Sequence, residues 1–444
     1  MAMTRSGYRP RIVDGLMGDM LRAAGAVCIE GPKWCGKTWV ALNHAESAVM
    51  IGDSAGNFQN RRLVEMDVSR AFRGREPRLI DEWQDVPEIW DAVKSEVDES
   101  NSTGRFILTG SSTPRRGAKR HSGAGRIGIV RMRTMSLFES GDSDGSVSLG
   151  SLFRRDRIGT GIAEPDLGRL ADMVVRGGWP NNVGKPMRSA LLANASYLSA
   201  ITDDASSLDG SVRDKGKIGR LIRSLARNEG TTASLARIAS DMAENRGDGD
   251  DGGRKQAGEG SDGDAETASQ KTARAYMDVL DRMFLLSDQP AFDPNVRSKV
   301  RVGKAPKRHL ADPSIAAAAM GLTGERLIGD LNTFGFLFES MCERDLDVYA
   351  SAHGGKLYHY RDGRGNELDA VIEMPDGRWG AFEIKLGENR VGEAARNLER
   401  VCGMLADEGA RPPEFRCVVC GTAAAAYVRP EDGAYVVPIT SLRE

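Results

Sequence analysis

Residues Gly31-Pro-Lys-Trp-Cys-Gly-Lys-Thr38 spell a complete G-x-x-x-x-G-K-[ST] phosphate loop. The motif constrains more than eight residues, because it operates only where a strand turns into a helix. Both flanks comply: Gly25-Ala-Val-Cys-Ile29 is an apolar run of strand character, and Trp39-Val-Ala-Leu-Asn43 can begin a helix. In such a turn the loop N–H groups and the helix N-terminus cradle phosphates, Lys37 reaches the outer phosphates, and the Thr38 hydroxyl ligates Mg²⁺. The chemistry requires only the flanking Gly and Lys, so the bulky Trp34 and Cys35 are compatible with it. Gly31, Pro32, Lys33, Trp34, Cys35, Gly36, Lys37, Thr38 and Trp39 are therefore the expected nucleotide-binding residues, with ATP and Mg²⁺ as cofactors.

Composition narrows the class without naming a partner. A chain of 444 residues is too long for one core and suggests about two to four domains. Net charge is −2, with 40% hydrophobic and 28% charged residues, as in soluble globular proteins. No apolar run approaches the roughly 18 residues of a membrane span, and Met1 to Pro10 lacks the apolar core of a signal peptide. A cytoplasmic protein without a membrane partner is expected, its six cysteines reduced. Cys417-Val-Val-Cys420 has zinc-knuckle spacing but lies in an apolar strand-like run with no second pair nearby, so it reads as core.

Along the chain, Ile12, Val13, Leu16, Met17, Met20 and Leu21 recur at helical spacing, which predicts a leading amphipathic helix. Pro77-Arg-Leu-Ile-Asp81-Glu82 is an apolar strand ending in two carboxylates and resembles a Walker B strand. There Asp81 would hold the water shell of Mg²⁺, and Glu82 would orient or deprotonate the attacking water. Arg105-Phe-Ile-Leu-Thr109-Gly-Ser111-Ser112 is a third strand, ending in hydroxyls. Arg115, Arg116, Lys119, Arg120, Arg126, Arg131 and Arg133 follow, a set that also fits a solvated basic face or a nucleic-acid patch.

These pieces keep an order: the phosphate loop, Leu79-Ile-Asp-Glu-Trp-Gln84, Ile107-Leu-Thr-Gly-Ser-Ser112, Gly125-Arg126, then Ser136-Leu-Phe-Glu139. The chain thereby resembles the prokaryotic AAA-type P-loop ATPases that carry a C-terminal domain of unknown function. The resemblance extends through Leu221 to Asn228, Tyr276 to Leu280, Lys307 to Asp312 and Gly335 to Glu339. It implies an α/β fold: a parallel-sheet ATPase domain (1–160), a helical, winged-helix-like middle (161–310), and a restriction-endonuclease-like α/β domain (311–444). It further implies that Thr109 or Ser111 senses the γ-phosphate. Arg126 would serve as an arginine finger on a neighbouring subunit's nucleotide, which would make the protein a homo-oligomer.

In the middle, Leu221 to Ala226, Ser234 to Met242 and Thr272 to Leu286 read as helices. Three short helices followed by extended residues suggest a winged-helix module, a platform for DNA or for protein. Residues 246–265 are dense in Gly and Asp and predict a flexible insertion; its Asp-x-Asp spacing lacks the Glu of a calcium loop.

The C-terminal part offers a second chemistry. Leu357 to Arg361, Asn366 to Glu373 and Arg378 to Leu386 read as successive strands. Alternation sends Phe382, Ile384 and Leu386 to one face and Ala381, Glu383 and Lys385 to the other, and puts Glu367 and Asp369 on a shared face. Asp369 followed by Glu383-x-Lys385 resembles the restriction-endonuclease-like core, in which Asp369 and Glu383 bind Mg²⁺ and Lys385 positions water. Glu339, on the preceding helix, fits the acid such folds add. The leading expectation is an ATPase whose nucleotide cycle controls a nuclease-like module acting on DNA. A nucleotide switch that recruits a protein without cleaving DNA is the alternative; a small-molecule kinase fits the Asp81-Glu82 pair poorly.

Overall fold

The computed structural model describes residues 6–113, 123–159, 165–243, 267–295 and 297–444. Arg115, Arg116, Lys119, Arg120 and the insertion 246–265 lie outside the described residues.

The first part is a parallel sheet with helices on both faces. In chain order it comprises α1 (Val13–Ala23), β1 (Ala26–Glu30), α2 (Lys37–His44), β2 (Ser47–Met50), β3 (Arg78–Asp81), α3 (Glu88–Ser100), β4 (Phe106–Gly110) and β5 (Ile127–Arg131). The strand order is β2-β3-β4-β1-β5, every pair parallel. The near-continuous apolar runs follow from burial on both faces. Ala26, Cys28, Phe106 and Leu108 pack with Trp90 and Val93 of α3, whereas Val27, Ile29, Ile107 and Leu79 pack with Met17 of α1 and Val40 of α2. β4 lies between the strand of the phosphate loop and the strand of the acids, so three functional strand ends meet at one edge.

A short strand, β6 (Val147–Ser148), leads into the middle helices α4 (Leu167–Arg176), α5 (Met187–Ser207), α6 (Lys215–Arg227), α7 (Leu235–Met242) and α8 (Ala268–Arg282). Asp214 caps α6, accepting from the Lys217 N–H at 3.0 Å, and so the helix starts before the expected Leu221. α8 differs from its expected span because a Thr267–Gln270 capping box starts it early. Phe284, at φ 57°, turns the chain just after Arg282. Antiparallel bridges then join Leu286 to Leu310, Gln289 to Lys307 and Thr231 to Arg308, and Ala291 passes beside His359.

The last part has α9 (Leu331–Ser351), β7 (Lys356–Arg361), β8 (Glu367–Glu373), β9 (Trp379–Lys385), α10 (Val391–Asp407), β10 (Phe415–Cys420), β11 (Tyr427–Val428), β12 (Tyr435–Pro438) and β13 (Leu442–Arg443). The sheet order is β11-β12-β10-β9-β8-β7, mixed, with α9 and α10 on opposite faces. Phe382 and Ile384 pack on the α9 side and Ala381 on the α10 side, as alternation requires. In β8 that regularity fails. Tyr358 pairs with Val371 but Tyr360 with Leu368, which leaves one extra residue on β8, a bulge at Asp369 and Ala370. Cys417 and Cys420 are free thiols in the core.

β13 returns to pair in parallel with β6, Leu442 with Val147. Asp312, fully buried, accepts from Thr134 Oγ1 at 2.6 Å, Gly178 N at 3.0 Å and Arg344 Nη1 at 3.0 Å, and so joins three stretches of chain. Among the described residues no helix is long and apolar enough to cross a membrane.

Candidate functional site: a phosphate loop and a buried acid–lysine cluster

The loop between β1 and α2 is shaped by two glycines. Gly36 sits at φ 105° as the residue before α2, and a Cβ on Gly31 would lie 2.3 Å from the Met132 carbonyl oxygen. Lys37 is buried and its Nζ donates to the carbonyl oxygens of Gly31 and Pro32, both at 2.9 Å. A phosphate entering the loop must draw the ammonium off these carbonyls. Arg11 braces the loop from outside, donating to Cys35 O at 2.8 Å and to Arg133 O at 2.9 Å while paired with Glu139 at 2.9 Å. Arg11 and Glu139 escaped assignment as site residues, because nothing local to either marks a partner 128 positions away.

At the strand ends, Thr109 stands in register with both Ile29 of β1 and Asp81 of β3. Asp81 Oδ1 accepts from Thr38 Oγ1 at 2.8 Å and from Thr109 Oγ1 at 2.6 Å. Burial pushes the Asp81 carboxyl above its ordinary value, against those two hydroxyl bonds, and the neighbouring Glu82 adds to the rise. Glu82 occupies the left-handed region at φ 56°, and its N–H donates to Thr109 Oγ1 at 3.2 Å. Its carboxylate accepts from Ser111 Oγ at 2.9 Å and from Gln84. A cavity of about 840 Å³ opens beside these groups, lined by Tyr8, Trp34, Lys37, Thr38 and Glu82 among others. The paired oxygens of Thr38 and Asp81 suit a hard cation, and the cavity accommodates a nucleotide.

Trp34 is exposed and Trp39 partly so. Trp34 packs at a tilt against Tyr197 of α5, ring centroids 5.4 Å apart, and Lys33 pairs with Asp204 at 2.7 Å. Arg126 lies at the start of β5, the end of the sheet away from the phosphate loop, and pairs with Asp98 at 2.6 Å.

The second cluster forms where α9, the β8 bulge and β9 meet. Lys385 Nζ lies 3.0 Å from Asp369 and 2.7 Å from Glu383, whose Oε1 accepts from Asn397 of α10 at 2.8 Å. The Ile384 N–H donates to Asp369 at 2.7 Å. Lys307 pairs with Glu339 and lies 2.6 Å from Glu343. Burial acts to raise Asp369, but the Lys385 and Lys307 ammoniums hold it below its ordinary value. Burial, then the Asp369 charge, pushes Glu383 up to about 7 against Lys385. Glu339, Asp369, Glu383 and Lys385, grouped by sequence reasoning, lie in one region of the structure, together with Lys307 and Glu343, which that reasoning did not single out. Among the described residues no group of three or more His, Cys, Asp or Glu side chains is arranged to hold a metal ion. Here lysines occupy the carboxylates.

With this geometry in view, residues 23–140 match the family described as AAA domain. Those residues are a P-loop ATPase domain of the AAA type. The match supports ATP binding and hydrolysis by this first part of the chain. Residues 167–326 and 334–442 match two domains of unknown function, DUF8612 and DUF4143. The uncharacterized proteins Mb2031c of Mycobacterium bovis and Rv2008c of Mycobacterium tuberculosis are each 23% identical over 377 residues, covering 82% of this chain and 71% of theirs. Among solved structures, the Walker-type ATPase PABY2304 of Pyrococcus abyssi aligns with a TM-score of 0.42 and 12% identity, over 72% of this chain and 98% of its own.

Proposed function

We propose that the chain is a Mg²⁺-dependent ATP hydrolase whose nucleotide state governs a nucleic-acid-acting module in residues 311–444. The observation that carries the first half is the convergence of Thr38 and Thr109 on one oxygen of Asp81, beside Glu82. In this reading Lys37 and the loop N–H groups bind the β and γ phosphates, Glu82 takes the proton of the attacking water, and Thr109 or Ser111 senses the γ-phosphate. Mg²⁺, held by Thr38 and Asp81, would neutralise phosphate charge. Arg126, remote from its own loop, would act only on a neighbouring subunit, which makes an oligomer part of the proposal.

Support for nucleic acid comes from the middle region, read as winged-helix-like over residues 161–310. α6 to α8 and the ladder beyond them have that order, and α6 carries Lys215, Lys217, Arg220, Arg223 and Arg227. The order α9, β7, β8, β9, α10, β10, with Asp369 opposite Glu383-x-Lys385, supports the restriction-endonuclease-like reading. One observation favours a second reading, a recruiting switch that does not cut: Lys307 and Lys385 already neutralise the carboxylates a metal would need.

ATPase assays on Lys37→Ala and Glu82→Gln test the first half: the former is expected to lose nucleotide binding, the latter to bind without turnover. Unchanged hydrolysis in both would remove the reading. Incubating linear, branched and single-stranded DNA with Mg²⁺ or Mn²⁺, with and without ATP, tests the second. ATP-dependent cutting lost in Asp369→Ala and Lys385→Ala supports the nuclease; no cutting with hydrolysis intact supports the switch.

A further inference from the structure

The segment that follows β4 is held by a residue far away in the chain. Arg282, at the last position of α8, donates from Nη2 and Nε to the Thr113 carbonyl oxygen at 2.9 and 3.2 Å. The Thr113 N–H donates back to Arg282 O at 3.0 Å, and Thr113 Oγ1 reaches the same oxygen at 3.4 Å. One backbone bond, answered in the other direction by a charged side-chain donor, is a clamp on position as well as distance. Two residues upstream, buried Ser111 donates to Glu82 Oε2 at 2.9 Å. The chain between Ser111 and Thr113 is too short to absorb a displacement, so movement of Thr113 is transmitted to the Ser111 hydroxyl.

We propose that Arg282 is a positioning residue for ATP hydrolysis: by clamping Thr113 it fixes Ser111, and Ser111 fixes the Glu82 carboxylate. The proposal rests on the reading of Glu82 as the base. Glu82 is a left-handed residue lining the cavity, where a carboxylate without its fixed donors samples many orientations, few of them productive. The clamp also makes turnover sensitive to α8, the last of the middle helices. A ligand that shifts the end of α8 would be read at Glu82 without touching the nucleotide. Lys37, Thr38 and the loop have no part in this route, so the affinity for ADP, which lacks the γ-phosphate, is independent of it.

The experiment measures steady-state ATP hydrolysis and nucleotide affinity for the full chain and for Arg282→Ala, Arg282→Lys, Ser111→Ala and the double variant Arg282→Ala with Ser111→Ala. Arg282→Ala is expected to lower kcat by about ten- to a hundredfold with ADP affinity unchanged. Arg282→Lys, which keeps one donor for Thr113 O, should recover part of the loss. The double variant should be no slower than the slower single one, because both act through Glu82. Wild-type kcat in Arg282→Ala, or losses that multiply in the double variant, would overturn the proposal. A parallel fall in kcat and ADP affinity would mark a structural effect and overturn it as well. Glu82→Gln serves as the control: if it still hydrolyses ATP, the underlying reading of the base fails, whatever Arg282 does.

Discussion

Thr109 and Asp81 face each other across the parallel β3–β4 pair, and the Thr109 hydroxyl donates to the Asp81 carboxylate at 2.6 Å. The same hydroxyl accepts from the Glu82 N–H, so a single oxygen links both acids of the nucleotide site. Thr109→Val keeps the shape and removes the link. ATP turnover is expected to fall by about tenfold or more, the equivalent of losing one charged hydrogen bond, while ADP binding stays near wild type. Steady-state kinetics beside equilibrium ADP titration check this; equal losses in both would show that Thr109 serves only to shape the loop.

A second prediction concerns the joint between parts. Arg344 is buried and pairs with Asp312 at 3.0 Å and with Asp345 at 2.7 Å. Removing the cation leaves two buried carboxylates uncompensated, so Arg344→Met is expected to destabilise the protein by about 3–5 kcal/mol. Urea unfolding reads this. A loss below about 1 kcal/mol, the scale of an exposed pair, would show that water reaches the site.

Stability should also fall on mild acidification. Burial, with Lys307 nearby, pushes the His359 imidazole down to about 4 from its ordinary 6.5. The unfolded chain therefore takes a proton between these values while the folded chain refuses it. His359 leaves stability untouched above about pH 6.5, and its cost grows as pH falls toward 4, reaching on the order of 3 kcal/mol. His359→Gln should flatten unfolding free energy across that window; an unchanged slope would assign the acid limb to other groups.

The six cysteines are buried and form no disulfide, and burial pushes the Cys417 and Cys420 thiols up. Native protein is expected to react with no equivalent of Ellman's reagent within minutes, and with all six after denaturation. Fast labelling of any one would reveal a local opening.

What the sequence made legible is the chemistry written in contiguous residues. The phosphate loop, the Asp81-Glu82 strand end and the hydroxyls of β4 were readable because each needs a fixed neighbour within a few positions. The middle helices were readable in part, since Ile218, Leu221 and Leu225 mark a buried face; the start of α8 lay in a capping box that the apolar pattern does not register. The pairs that cross the chain were not readable. Arg282 clamps Thr113 across 169 positions and Lys307 reaches Glu339 across 32, distances at which one sequence carries no pairing signal. The β8 bulge escaped for another reason: it breaks the period of two that strand reading relies on, at Asp369, the residue on which the second site turns.

The pairing of Leu442–Arg443 with Val147–Ser148 gives the molecule the connectivity of a closed belt. Residues 149 to 441 form a loop whose two ends are stitched by backbone bonds, so a single break in that span would nick the belt without freeing either half. The pieces of such a nicked protein should sediment as one particle. Excising the ATPase part alone would strip β6 of its partner and leave its backbone donors and acceptors in search of another.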